Sequence, residues 1–205
     1  TSAEIVSQLL VAKDELSDWS HKHGRKISNV VFMGMGEPLS NRKAVHHSLS
    51  ILNQGYGVGA RRITVSTVGV VPGILELAER PEQFRLALSL HAPISDLRLR
   101  LIPLEKRHPL PEVLSALKRF NESGGKRITF EYTMIRGVND ASELIAPLAD
   151  LALSVGAYVN LIPFNPIPYQ NWESSEHHRI KDFAKNLQRR GVPAAIRETR
   201  GQDID

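Results

Sequence analysis

The sequence predicts an α/β fold, a partial parallel (β/α) barrel, and two observations carry that expectation. Short β-branched runs alternate with longer segments of helical period. About five strand–helix units fit into the 205 residues, whereas a closed eight-unit barrel needs about 250. A third observation sharpens the reading: glycines and polar residues cluster directly after the apolar runs, at the strand ends where such folds hold ligands.

The elements follow in order. A first helix is expected from Ser2 to about His21, with Ile5, Leu9, Ala12 and Leu16 on one face and Gly24 as its stop. Ile27–Met33 reads as a buried strand running into Gly34-Met35-Gly36-Glu37-Pro38, and Asn41 as the N-cap of a helix to about Asn53. After the glycines at 55, 57 and 59, Ile63–Thr67 is a strand, and Pro72 starts a short helix ending near Arg80. Phe84–Leu90 is the next strand, and a long basic connection runs from His91 to Leu110. Pro111 opens a helix bearing Val113, Leu117 and Phe120 that ends at Gly124-Gly125. Ile128–Ile135 is a strand, and Ser142 caps a helix to about Val155. Val159–Ile162 is a strand closed by Pro163, Ser174 caps a last helix that stops at Gly191, and Ala194–Arg197 adds a short strand.

No linker or low-complexity tract interrupts this rhythm, so residues 1–205 read as one core domain. Thr1 is not a start methionine, and the chain is expected to be part of something longer. Hydrophobic residues make up 41% of the chain, which suits a folded core rather than disorder. No apolar run reaches membrane-span length and no signal-peptide pattern opens the chain, so a soluble, cytoplasmic protein is expected. The net charge of +4 permits a polyanionic partner without requiring one. Cysteine is absent, which removes disulfides and thiolate ligands from this stretch.

The strand ends carry the chemistry. At Gly34–Pro38, glycine lets the backbone approach a ligand closely, and the Glu37 carboxylate suits a ligand ammonium. A turn with a solvated acid is the plain alternative. Ser89 and His91 lie two residues apart, which on a strand puts a hydroxyl and an imidazole on one face, both able to bond ribose or carboxylate oxygens. A capped strand end with a structural histidine explains the same residues. Asn165, between Pro163 and Pro166, sits on stiffened backbone that suits either ligand reading or ordinary turn chemistry. The paired histidines at 46–47 and 177–178 have no third ligand nearby and suggest no metal.

Several runs in fixed order are more specific than any single tip. They are Phe32–Leu39 (FMGMGEPL), Ile63–Thr67 (ITVST), Leu86–Pro93 (LALSLHAP), Thr129–Tyr132 (TFEY), Gly137–Asp140 (GVND), Asn160–Pro166 (NLIPFNP) and Arg200–Asp205 (RGQDID). Together they resemble the radical S-adenosylmethionine methyltransferases that modify adenine C2 in 23S ribosomal RNA and transfer RNA. The resemblance covers essentially the whole chain. It implies the partial barrel of that superfamily, S-adenosylmethionine as cofactor, and roles for particular residues. Gly36 and Glu37 match the site for the cofactor's amino group. Ser89, Leu90 and His91 match the stretch along its ribose, and Asn165 matches a further contact. Ser66 belongs to a strand-end run that in the family continues Ser-Thr-Ser-Gly. Here it reads Ser66-Thr67-Val68-Gly69, so Val68 brings no hydroxyl and the carry-over there is limited.

The same resemblance implies a [4Fe–4S] cluster on a C-x-x-x-C-x-x-C loop before Thr1 and a methyl-carrying cysteine shortly after Asp205. The family's cofactor methylates that cysteine, and a second cofactor molecule supplies the radical that moves the carbon to adenine. None of those cysteines lies in this sequence. The cluster therefore belongs to the full-length enzyme only, no catalytic or metal-binding residue is assigned within residues 1–205, and these residues alone are expected to be inactive. Partners implied are the two RNAs and an electron donor. Arg61, Arg62, Arg98, Arg100, Lys106 and Arg107 are candidates for phosphate contact. Two other readings remain open: a C8-adenosine methyltransferase of the antibiotic-resistance type, which shares the cofactor site, and a non-catalytic RNA-binding barrel. The Pro38 form of the glycine motif favours C2.

Overall fold

The computed structural model describes residues 1–19, 26–124, 127–166 and 171–197. Six strands form a single, wholly parallel sheet: β1 Val30–Phe32, β2 Ile63–Thr67, β3 Arg85–Ser89, β4 Ile128–Met134, β5 Tyr158–Pro163 and β6 Ala194–Ile196. Their order in the sheet is their order in the chain. Right-handed crossovers between sequential strands all turn the same way, so the helices collect on one face. These are α1 Ser2–Glu15, α2 Arg42–Ser50, α3 Val71–Ala78, α4 Ser95–Leu101, α5 Leu110–Glu122, α6 Ile145–Val155 and α7 His177–Arg189. The sheet is not closed: β1 and β6 are its edges. They approach at their tips, where Arg197 Nη1 lies 4.0 Å from Met33 Sδ.

Alternation along each strand divides the sheet into two chemistries. Leu86 and Leu88 on β3, Phe130, Tyr132 and Met134 on β4, and Val159 and Leu161 on β5 are completely buried against the helices. α5 answers with Val113, Leu117 and Phe120, α6 with Leu148 and Ala152, and α7 with Phe183 and Leu187. The other face carries the intervening residues, among them Ser66, Ser89, Thr129, Glu131, Thr133 and Asn160. Register places Ser89 beside Glu131 and Glu131 beside Asn160, a polar row across three strands.

The expected elements are present, with five differences. β1 spans only Val30–Phe32 and is not buried: as an edge strand it leaves Val31 50% exposed. α1 stops at Glu15 because Ser17 turns left-handed (φ 51°) and Asp18 folds the chain back. The buried Asp18 carboxylate accepts the amides of Lys26 and Ile27 at 2.9 and 3.0 Å, anchoring the approach to β1. The expected stop residues, His21 and Gly24, lie outside the described residues. The basic connection after β3 is not irregular: it holds α4 and a 3-10 turn, Pro103–Lys106. Ser142 opens a 3-10 turn ahead of α6 instead of capping it. Ser174 does not cap α7, which starts after Glu176; it pairs with Ile135 in an isolated antiparallel bridge. Asn41 does stand at the head of α2, although its side chain makes no capping bond. No helix among the described residues is long and apolar enough to cross a membrane.

Candidate functional site

Because all strands are parallel, the tips after β1, β2, β3, β4 and β5 meet at one end of the sheet. Four strand spacings separate β1 from β5, roughly 19 Å before curvature shortens it.

The first tip is built around Glu37. Gly36 adopts φ 101°, a conformation other residues rarely take, and the space where its Cβ would stand is empty. Glu37 is more engaged than a solvated acid would be. Its Oε1 accepts the Leu39 amide at 2.9 Å, and its Oε2 accepts the Val68 amide at 2.8 Å. One carboxylate thus ties the tip of β1 to the tip of β2. Each oxygen retains a lone pair, so the group can still take a cation from the open side.

At the second tip, Thr67 Oγ1 accepts the amides of Gly69 and Val70 at 3.0 and 3.3 Å, and Gly69 turns the chain with φ 111°. Ser66 is buried on the polar face opposite Ala87. The Val68 carbonyl accepts a hydrogen bond from Arg98 Nη2.

The third tip differs from expectation. β3 ends at Ser89, and His91 is left-handed (φ 54°), so simple strand alternation does not relate the two side chains. Leu90 contributes no side chain to the site: it is wholly buried in the core, and its amide donates to Glu131 O at 3.0 Å. The His91 ring is held at Nδ1, which accepts the Thr133 amide at 3.1 Å. Accepting there leaves the proton on Nε2, so the neutral ring presents one N–H donor. Removal from bulk water, and secondarily the Arg98 charge, push the imidazole down to about pKa 4. Asn139, completely buried, supports this corner. Its amide nitrogen donates to His91 O at 2.8 Å and Thr133 O at 2.6 Å, and its oxygen accepts the Ile135 amide at 2.7 Å.

Asn165 stands exposed just beyond β5, near the edge-on pair of Phe164 and Trp172. Glu131 and Asn160 were not singled out as site residues from the sequence. Glu131 is buried on the polar face, where its Oε2 accepts from Asn160 Nδ2 at 3.0 Å. Desolvation raises its pKa, opposed by that hydrogen bond and by the Arg197 charge. The signal was present: a carboxylate on the off-beat of an otherwise apolar strand.

The basic residues separate. Arg98 is completely buried and paired with Glu105, so it offers nothing to a phosphate; this corrects its place among the candidates. Arg61 and Arg62 precede β2, at the opposite end of the sheet from the tips, and Arg61 Nε donates to Gln83 Oε1 at 2.7 Å. Arg100, Lys106 and Arg107 are exposed on the segment that follows the β3 tip. Among the described residues no group of three His, Cys, Asp or Glu is placed to hold a metal.

A parallel, unclosed βα sheet with a Gly-Glu tip beside β2 defines a class. Residues 10–146 match the model of the radical SAM superfamily, and the chain belongs to it. Within that class its relatives are RNA-modifying by name. It is 47% identical, across 100% of this chain and 54% of the relative, to the dual-specificity RNA methyltransferase RlmN of Phenylobacterium zucineum (strain HLK1). It is 51% identical, across 86% of this chain and 49% of the relative, to the probable dual-specificity RNA methyltransferase RlmN of Gemmatimonas aurantiaca. The chain thus spans about half the length of the curated relatives it matches. A crystal structure of a radical SAM methyltransferase from Sphaerobacter thermophilus superposes with a TM-score of 0.92 at 44% identity, covering 100% of this chain and 59% of that one. A domain of pyruvate-formate lyase-activating enzyme from Bacteroides vulgatus shares the fold alone, with a TM-score of 0.64 at 18% identity, covering 84% of this chain and 100% of that one.

Proposed function

We propose that this chain is the cofactor-binding core of an enzyme that uses S-adenosylmethionine and a [4Fe–4S] cluster to methylate adenosine C2 in 23S ribosomal RNA and transfer RNA. The observation that carries the reading is the 47% identity, over the whole chain, to a protein named dual-specificity RNA methyltransferase RlmN. The strand tips support it chemically. Glu37 keeps acceptor capacity for an ammonium, Gly36 leaves open space before the backbone, and His91 presents a single N–H donor. Gly36, Glu37, Ser66, Ser89, His91 and Asn165 are the residues to which the reading assigns S-adenosylmethionine, with Leu90 limited to its backbone.

The cluster does not fit this chain. Iron–sulfur clusters are held by thiolates, and the 205 residues contain no cysteine. S-adenosylmethionine, when bound, supplies the methyl group and the radical chemistry. The residues present supply placement: Glu37 fixes a positive end, and the His91 donor fixes an oxygen. Residues 1–205 are read as one core domain of the larger enzyme. The reading carries with it a cytoplasmic location, where both RNAs occur, and an electron donor. Arg100, Lys106 and Arg107 lie on the ligand side, where phosphate contact strengthens RNA binding in a salt-dependent way.

Incubation of the reconstituted holoenzyme with 23S ribosomal RNA and with transfer RNA, followed by mass spectrometry of the nucleosides, tests this. The expected product is 2-methyladenosine in both. Formation of 8-methyladenosine, or RNA binding without any methylated adenosine, contradicts it.

A further inference from the structure

Arg98 is among the largest completely buried side chains of the described residues, and a buried charge demands an explanation. Its guanidinium serves two acceptors at once. Nη1 donates to Glu105 Oε2, and Nη2 donates to the Val68 carbonyl. Glu105 in turn accepts the Leu110 amide at 2.8 Å through Oε1, so the pair is anchored on the start of α5. Nε is buried without a partner, so the arginine is not placed for maximal bonding of its own. What it accomplishes lies at Val68.

Val68 has left the sheet, and no ladder partner serves its backbone groups. Its amide is held by Glu37 Oε2 at 2.8 Å, and its carbonyl by Arg98. The residue is therefore clamped on both sides of its Cα, once from β1 and once from the segment after β3. The clamp is close-packed: a Cβ on Gly69 would meet Val113 Cγ2 at 3.0 Å and Arg98 Nη2 at 3.4 Å. Through Val68 the bonds run unbroken from Leu110 to Glu105, Arg98, Val68, Glu37 and Leu39.

We infer that Arg98 is a positioning residue for cofactor binding: by holding the Val68 carbonyl it fixes the Val68 amide against Glu37, and so sets the orientation of the carboxylate that receives the ligand's amino group. The inference rests on the reading that Glu37 binds S-adenosylmethionine. Arg98 touches no ligand itself. A lysine cannot replace it, because an ammonium on a flexible stem lacks the planar fork that reaches two acceptors in fixed geometry.

The test uses the holoenzyme and two ligands in calorimetric titration. S-adenosylhomocysteine carries the amino-acid end; methylthioadenosine lacks it. Arg98→Lys is expected to weaken S-adenosylhomocysteine about tenfold, a fraction of what a hydrogen bond to a charged group is worth. Methylthioadenosine should bind as to wild type, and amide exchange at Val68 should accelerate. The double variant Arg98→Met/Glu105→Met removes both buried charges, a replacement that protein interiors tolerate. It should show the same selective loss while remaining folded. Unchanged affinity for both ligands in both variants overturns the inference. So does equal weakening of the two ligands, or loss of affinity in step with loss of folded protein, since either makes the pair structural only. Glu37→Gln separates the inference from its foundation. If that variant keeps wild-type affinity for S-adenosylhomocysteine, the reading of the site fails. If it loses affinity while the Arg98 variants do not, only the positioning role fails.

Discussion

At Glu37 and His91, single atoms decide what the site can do. Glu37 accepts one backbone amide on each oxygen. In Glu37→Gln one of those oxygens becomes an NH2 group facing an N–H donor, so the substitution removes charge and also sets two donors against each other. The variant is expected to melt roughly 5 °C lower, from a cost of about 1–3 kcal/mol. Its affinity for S-adenosylmethionine should fall by ten- to over a hundredfold. Thermal melts and calorimetry on the same preparation check both figures, and a lower melting temperature with intact affinity reduces Glu37 to a clamp between two tips. His91 makes a prediction about pH. Its pKa is held down at about 4 by desolvation and by Arg98, against an ordinary value of 6.5. The unfolded chain therefore takes up a proton below about 6.5 that the folded protein refuses, and stability is lost as pH falls from there towards 4. The contribution is at most about 3 kcal/mol. His91→Asn suits the left-handed backbone and cannot titrate, so melting curves between pH 7 and pH 4 should fall less steeply for it. Parallel pH profiles for the two proteins would remove this role.

At the scale of elements, the strands and most helices were legible, and the helix ends and the short α4 were not. Apolar runs such as Leu86–Leu90 and Ile128–Met134 announce buried parallel strands without help from the rest of the chain. Helix ends depended on distant groups. α1 stops where Asp18 captures the amides of Lys26 and Ile27, an interaction that local periodicity does not contain. α4 was hidden because its inward position is Arg98, and a charged residue in the core breaks the amphipathic pattern. Ser174 has the chemistry of a cap, but the strand-like bridge to Ile135 claims its backbone. The site divides the same way. The glycine–glutamate turn at the end of β1 was legible in the sequence, whereas the Val68–Glu37 bond joins residues 31 apart and required the fold. The positive φ of His91 likewise comes from outside, from Asn139 and Thr133, which hold its carbonyl and its ring.

The whole molecule is a curled sheet with a dry convex face packed under helices and a polar concave face ending at the tips. Ser89, Glu131 and Asn160 cross that concave face in one register row, and burial there raises the pKa of Glu131. A packing surface has no use for such a row; a surface that meets a polar ligand does. The most direct measurement is a crystal structure of the holoenzyme with S-adenosylmethionine bound. The ligand is expected across the tips of β1, β2, β3 and β5, with its ammonium within hydrogen-bond reach of Glu37 and an oxygen facing His91 Nε2. A ligand seated at the opposite end of the sheet, near Arg61 and Arg62, or a Glu37 carboxylate that contacts only Leu39 and Val68, would contradict it.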